Sequence, residues 1–186
     1  MKLHRFLRPL LAATLLGAAV TAQAQLSMML PANPGGGWDS TGRQSMQAMN
    51  EAGIYTGTVS FTNKGGAGGT IGLADFQRSQ KGKADALAVF GAITVGSIAM
   101  NKSPIDLSKF RPVARLTAEY VVLAVKADSP YENLDDFVQA MKANPGAMPV
   151  GGGSAGGTDH IALALLAQQG QVPVKALNYI PQAGGA

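Results

Sequence analysis

The chain has 186 residues, a formal net charge of +4 and no cysteine. The lack of cysteine excludes a disulfide framework, a thiolate metal site and a lipid-anchored amino terminus, so we expect a protein that is soluble and free. Lysines and arginines are scattered and only 6% of the residues are aromatic, which argues against a nucleic-acid partner, while a single histidine beyond residue 24 does not supply the ligands of a metal site.

Residues 1–24 have the order of a secretory signal peptide. Three basic residues come first, an apolar run over residues 10–20 follows, and Ala22-Gln23-Ala24 is a typical cleavage site. The apolar run is too short to span a bilayer. An amphipathic first helix is the alternative, but this order of features favours a signal that is cut after Ala24. Its removal takes three of the 15 basic residues and leaves 12 against 11 acidic ones.

Strands and helices alternate over the first part of the mature chain. Short apolar runs predict strands, and apolar residues at helical spacing, such as Met46 and Met49, predict helices. The predicted elements are a strand at Leu26–Leu30, a helix at Ser40–Ala52, a strand at Val59–Phe61, a helix at Ile71–Gln80, a strand at Ala86–Phe90, a helix at Thr94–Met100 and a strand at Pro112–Leu116.

The alternation continues in the second part, where a new α/β stretch begins with a strong β-run. The predicted elements are a strand at Glu119–Lys126, a helix at Leu134–Lys142, a strand at Met148–Val150, a helix at Thr158–Gln169 and a strand at Val174–Ile180. Such alternation indicates α/β architecture with mostly parallel sheets. We therefore divide the mature chain into a first α/β domain at residues 25–120 and a second at residues 121–186, which ends in the middle of a strand-to-helix unit and is expected to be incomplete.

Three glycine-rich segments each follow a predicted strand and precede a predicted helix. They are the first glycine loop (residues 35–37), the second glycine loop (residues 65–69) and the third glycine loop (residues 151–157). The first N–H groups of a helix lack intrahelical partners and carry a positive dipole, so an anion can bind there where glycine lets it approach closely. Tight turns without a ligand are the alternative reading, which three loops in the same topological position disfavour.

Motifs of phosphate-binding and catalytic sites are weak in this sequence. Gly151-x-Gly153-x-x-Gly156 matches G-x-G-x-x-G, but no acidic residue follows about 20 positions later, and the chain has no Walker loop. Ser154 and His160 could act as nucleophile and base, yet no G-x-S-x-G elbow surrounds the serine. We interpret His160 as a hydrogen-bonding residue of a helix face or cleft, and we expect neither a metal nor another cofactor.

Trp38 and Asp39 follow the first glycine loop and allow two interpretations each. Trp38 is either a core residue or part of a binding site, and Asp39 either caps the next helix or contacts a ligand. Because a carboxylate repels a bound anion, Asp39 is better suited to orient the loop or a water than to bind an anion directly.

Taken in order along the chain, the motifs resemble those of one family. "PANPGGGWDSTGR", "NKGGAGGTIGLADF", "NKSPIDL", "ARLTAEYVVLAVKADSP", "LDDFVQAMKANPG", "GGGSAGGTDHIALALLA" and "ALNYIPQAGGA" together resemble the substrate-binding proteins of tripartite tricarboxylate transporters, the Bug or TctC family. The resemblance extends over essentially the whole mature chain. Members of that family are considerably longer, so this chain is expected to be truncated at its carboxyl end.

The resemblance implies a type II periplasmic binding-protein fold, in which two α/β domains close on a carboxylate ligand. It also implies a periplasmic monomer that delivers this ligand to the membrane permease subunits of the transporter, without enzymatic activity. The ligand-binding residues that it implies are Gly35, Gly36, Gly37, Trp38 and Asp39 on the first domain, Gly66, Ala67, Gly68 and Gly69 beside them, and Ser154, Ala155, Gly156, Gly157 and His160 on the second domain.

Three hypotheses about function follow. The first is a periplasmic protein that captures a di- or tricarboxylate such as citrate. The second is a secreted α/β enzyme that acts on an anionic small molecule, for which Ser154 and His160 would be essential. The third is a non-functional truncated fragment.

Overall fold

The computed structural model describes residues 25–182. The predicted signal peptide and the final glycine pair, Gly184-Gly185, lie outside these residues. Within the described part, no helix is both long enough and apolar enough to cross a membrane.

The first half of the described chain forms a three-stranded parallel sheet with helices packed on it. The central strand β1 pairs with β2 on one side and with β3 on the other, and Leu30 at its end stands opposite Asn63 of β2. The elements are β1 (Leu26–Leu30), α1 (Gly37–Glu51), β2 (Val59–Asn63), α2 (Thr70–Ser79), β3 (Ala86–Ala88) and α3 (Ala92–Met100). The predicted parallel α/β arrangement is confirmed here.

The core of this first unit forms around the carboxyl half of β1. Met28 and Leu30 are buried against Met46 of α1, and Leu30 is fully inaccessible to solvent. Gly42 of α1 faces Leu30 so closely that a Cβ at this position would overlap Leu30 Cδ2. A glycine here therefore lets the helix lie directly on the strand.

The second half of the described chain forms a smaller unit with a two-stranded parallel sheet. Asn133 begins its first helix by accepting a hydrogen bond from the N–H of Asp136. The elements are α4 (Leu134–Ala143), β4 (Pro149–Gly152), α5 (Thr158–Gln169) and β5 (Asn178–Pro181), with β4 paired to β5. A separate core cluster of Phe137, Met141, Leu163, Ala167 and Val172 holds the helices together.

Two of the predicted strands are absent from the described structure, and two others are shorter, since β3 ends at Ala88 and β5 begins at Asn178. Residues 112–116 and 119–126 form no strand, and Val174–Ala176 is a 3-10 turn ahead of β5. The apolar residues of these two segments favour strands, but a strand needs a neighbour to which its backbone can bond. Within residues 25–182 no strand pairs with either segment.

Candidate functional site

A cleft of about 450 Å³ lies where the loops that follow β1, β2 and β4 meet. This size is typical of sites that bind small molecules. Parts of all three glycine loops form its wall, together with uncharged residues such as Asn33, Ile93 and Gln182. None of the described side chains that line the cleft is ionisable.

The predicted site residues divide into two groups in the structure. Those that line the cleft are Gly36, Trp38, Gly66, Ala67, Gly68, Gly69, Ser154 and Ala155. Those that do not line it are Gly35, Gly37, Asp39, Gly156, Gly157 and His160. All of them lie in or next to the three loops.

The Asp39 side chain stabilises the first glycine loop by a hydrogen bond to the backbone. Its carboxylate is buried, with 5% of the residue exposed, and it accepts a hydrogen bond of 2.8 Å from the N–H of Gly35. It also accepts hydrogen bonds of 2.8 Å from Arg43 Nε and from Asn63 Nδ2. Gly35 has φ of +81°, a conformation that favours glycine. Asp39 thus stabilises a left-handed turn by accepting a hydrogen bond from its backbone.

This arrangement corrects the capping interpretation of Asp39. Helix α1 begins at Gly37, earlier than predicted, and Gly36 occupies the N-cap position, so Asp39 lies within the first turn. The Gly35 N–H, followed by the Asn63 amide and the Arg43 guanidinium, holds the pKa of Asp39 below its ordinary value of 3.8 although burial opposes this. The side chain is therefore an ionised carboxylate whose hydrogen bonds stabilise the loop.

The third glycine loop is held in the same way. Gly151 and Gly152 belong to strand β4, and the remaining loop is tied back by the first turn of α5. Asp159 Oδ2 accepts a 2.7 Å hydrogen bond from the N–H of Gly153. Sequence reasoning missed Asp159, although its position in the first turn of a helix after a glycine loop repeats that of Asp39 and could have indicated it.

His160 is engaged by the same loop and by an aromatic neighbour. Its Nδ1 accepts a hydrogen bond of 3.1 Å from the N–H of Gly156, which places the proton of a neutral ring on Nε2. Its ring stacks on Tyr179 with 4.2 Å between the ring centroids. Within the described residues no hydrogen bond joins His160 to Ser154, and this weighs against the interpretation of the two as base and nucleophile.

Helix α3 joins the second glycine loop to the third, a role that sequence reasoning did not find. Thr94 Oγ1 donates a 2.9 Å hydrogen bond to the carbonyl of Gly68, and Ser97 Oγ donates one of 3.3 Å to the carbonyl of Ala155. Both side chains are fully buried. The signal that could have indicated this role is a pair of small hydroxyl residues three positions apart on an otherwise apolar helix.

The helices that follow the first and third loops begin with free backbone donors. Within residues 25–182, the N–H groups of residues 37–39 and of residues 158–160 have no hydrogen-bond partner. Of these residues only Trp38 lines the cleft, so the dipole of α1 adds positive potential there, whereas Thr158 and Asp159 line a separate groove. In the same part of the chain no cluster of three or more His, Asp or Glu side chains could hold a metal ion.

The role of Asp39 leads to a prediction about stability and pH. We expect Asp39→Asn to lower the melting temperature at neutral pH, because an amide cannot accept all three hydrogen bonds and brings its own donors against Arg43 or Asn63. Since its pKa is lowered in the folded state, the carboxylate stabilises the protein above pH 3.8, and this contribution is lost as the pH falls through the folded pKa.

Thermal unfolding of both proteins between pH 7 and pH 2.5 measures this difference. The gap in melting temperature between wild type and Asp39→Asn should be widest near pH 7 and should close in acid. The matched control is Asp128→Asn, since Asp128 is an exposed aspartate outside the cleft, and it should leave the curve unchanged. A gap that stays constant with pH would contradict the assigned role.

One family model and two known proteins are similar to this chain. A family model described as "Tripartite tricarboxylate transporter family receptor" matches residues 42–186. A UPF0065 protein of Bordetella pertussis is 27% identical over 173 residues, which is 89% of this chain and 53% of that protein. A UPF0065 protein encoded in the tcbD-tcbE intergenic region of a Pseudomonas species is 26% identical over 83% of this chain and 46% of its own length.

Solved structures give the same result for the fold. The structure of a periplasmic transporter superposes with a TM-score of 0.67 at 24% identity. The superposition includes 87% of this chain and 53% of the transporter chain. A TctC solute-binding protein from Polaromonas, solved without ligand, reaches a TM-score of 0.59 at 29% identity, with 87% of this chain and 54% of its own covered. The chain thus spans about half the length of the proteins it matches, and the predicted periplasmic binding-protein fold is confirmed.

Proposed function

The chain belongs to the family of tripartite tricarboxylate transporter receptors, as its motifs predicted, and from this premise we propose that it captures a di- or tricarboxylate in the periplasm. The TctC protein of Polaromonas is a solute-binding protein, which is a non-catalytic class. In our proposal the predicted signal peptide directs export. The loaded protein, a monomer, then delivers its ligand to the permease subunits of the transporter.

The observation that carries this proposal is a cleft that combines free backbone donors with uncharged walls. The N–H groups of Gly66 and Gly68 line this cleft and have no hydrogen-bond partner within residues 25–182, so a carboxylate can accept hydrogen bonds from them. Each charge-assisted hydrogen bond contributes about 1.5–3 kcal/mol, and each helix terminus adds about 0.3–1 kcal/mol. Two or three carboxylates on one ligand would use the loops at both ends of the cleft.

Citrate is our first candidate within this class. The three-glycine loop that precedes Trp38 resembles the tricarboxylate-binding branch of the family, and Trp38 lines the cleft beside the second loop. A Cβ on Gly69 would lie 2.7 Å from Trp38 Cζ3, so the indole packs directly on this glycine. The ring can therefore form an apolar wall for the carbon chain of a ligand.

A thermal-shift panel tests the proposal. We expect citrate or a related di- or tricarboxylate to raise the melting temperature, because a ligand at 100 times its dissociation constant adds about 2.7 kcal/mol of stability. Matched controls are the amides of the same acids, which keep the shape and remove the charge. The whole Polaromonas protein is assayed with the same panel. This chain covers 54% of its length, so a comparison of the two affinities shows what the uncovered part contributes.

Two outcomes would count against the proposal. Equal shifts with an acid and its amide would show that charge is not recognised. Shifts produced only by sugars or amines would place the ligand in another chemical class.

A further inference from the structure

Two groups of free backbone donors line the cleft, one on the second glycine loop and one on the third. Within residues 25–182, the N–H groups of residues 66–68 have no hydrogen-bond partner, and neither do those of Ser154 and Ala155. Successive free N–H groups form a concavity that binds one anionic group. We call these two groups the second-loop nest (residues 66–68) and the third-loop nest (residues 154 and 155).

The side chain of Ser97 in α3 contacts both nests. Its Oγ donates a 3.3 Å hydrogen bond to the carbonyl of Ala155 in the third-loop nest. The same oxygen packs against the second-loop nest so closely that a Cβ on Gly68 would overlap it. Ser97 is fully buried and does not line the cleft, so it contacts the two loops and leaves the space for a ligand free.

Neighbouring residues of the same helical turn hold the same two loops. Thr94 Oγ1 donates a 2.9 Å hydrogen bond to the carbonyl of Gly68. On the other loop, a Cβ on Gly96 would overlap the carbonyl oxygen of Gly156, so the backbone of α3 lies directly on the third loop. Each loop thus has two contacts with residues 94–97, and a hydrogen-bonded helical turn has a fixed geometry. The distance between the nests therefore depends on this one turn.

We propose that Ser97 is a specificity-determining residue, which sets the distance between the two nests and with it the separation of the carboxylates that the cleft accepts. This inference rests on the proposed function. The Ser97 hydroxyl fills the space between the loops, which keeps them from approaching, and its hydrogen bond to Ala155 keeps them from separating. An acid with too short a carbon chain then reaches only one nest and leaves the donors of the other unpaired.

A purely structural role of Ser97 is the alternative, and it makes a different prediction. If the hydroxyl only stabilises the fold, its loss weakens the binding of every acid by the same factor. If it sets the distance between the nests, its loss changes the affinity of one acid relative to another, because specificity is a difference between affinities. The dependence of affinity on chain length therefore separates the two roles.

Calorimetric titration with the straight-chain dicarboxylates from oxalate to adipate tests the proposal. These acids carry the same two carboxylates and differ only in the number of carbons between them. We expect the wild-type chain to bind one of them at least tenfold more tightly than the next shorter acid. In Ser97→Ala, where the loops are no longer held apart or tied together, this ratio should fall to threefold or less.

A second variant changes the distance in a known direction. In Gly96→Ala the added methyl group meets the carbonyl of Gly156 and pushes the third loop away from α3, so the acid that binds best should be longer by at least one carbon. Val95→Ala is the matched control, since Val95 lies on the same turn, is 54% exposed and does not line the cleft. It should leave the profile of affinities unchanged. Thermal unfolding of each variant shows whether it is folded.

Several results would overturn this inference while the proposed function stands. They are equal binding of all the acids by the wild type, weakening of every acid by the same factor in Ser97→Ala, and the same change of profile in Val95→Ala. If Ser97→Ala does not unfold cooperatively, the profile of Gly96→Ala decides, and an unshifted optimum counts against the inference. A wild-type chain that binds no dicarboxylate would overturn the proposed function and this inference with it.

Discussion

Replacing Gly68 by valine is expected to abolish the carboxylate binding that we propose and to destabilise the chain by several kcal/mol. Gly68 has φ of +65°, where a residue with a Cβ costs about 1–2 kcal/mol. A Cβ at this position would also overlap Ser97 Oγ, and such overpacking costs a further 1–3 kcal/mol or so. To relieve the overlap, the second loop must move away from α3, which removes one wall of the cleft.

Gly82→Val is the matched control for this experiment. Gly82 has φ of +77°, but no atom lies within 4 Å of the position where a Cβ would stand. This variant therefore carries the backbone penalty without the overlap, and it lies outside the cleft. Thermal unfolding together with calorimetric titration of the best carboxylate should show a small stability loss and unchanged affinity. Equal losses of affinity in the two variants would contradict our explanation that a side chain at position 68 pushes the second glycine loop away from α3.

Leu30→Ala is expected to lower the free energy of unfolding by about 2–5 kcal/mol, because it leaves a cavity at a fully buried position in the first core. In a unit of this size the melting temperature should fall by roughly 8 °C or more. The same experiment tests our proposed division of the chain. If residues 25–120 and 121–186 are separate domains, calorimetry should resolve two transitions, and Leu30→Ala should lower only the first.

Met141→Ala is the counterpart in the second core, where Met141 is 1% exposed. It should lower only the second transition. The contact of α3 with the third loop will couple the two units to some extent, so the unaffected transition can shift slightly. A single transition that both variants lower equally would show that the two cores unfold together, and the division at residue 120 would then be wrong.

Much of the fold is predictable from local pattern because glycines and apolar spacing act over short distances. The bounds of β1 and of α5 are those expected from the sequence, at Leu26–Leu30 and Thr158–Gln169. The prediction of a strand at Glu119–Lys126 was wrong. Its composition is that of a strand, but pairing depends on a neighbour distant in sequence, which a local pattern does not contain.

The site was predictable as a set of loops, but the role of individual residues was not. Glycine content located all three loops that border the cleft. The direction of the Asp39 carboxylate depends on the left-handed turn at Gly35 and on the partner Asn63, which is 24 residues away. The part played by α3 depends on three segments that meet only in the folded chain. Whether the fourteen predicted residues bind a ligand stays a prediction.

The uncharged lining of the cleft has a kinetic consequence. Where charged side chains surround a site, their field draws in an oppositely charged ligand over long distances and raises the association rate, and dissolved salt weakens this effect. Here the positive potential comes from peptide dipoles, whose influence falls off within one helical turn. Encounter with a carboxylate should then be limited by diffusion and orientation, and the rate should vary little with ionic strength. A protein that captures its ligand in this way would meet it at a similar rate in dilute and in saline surroundings.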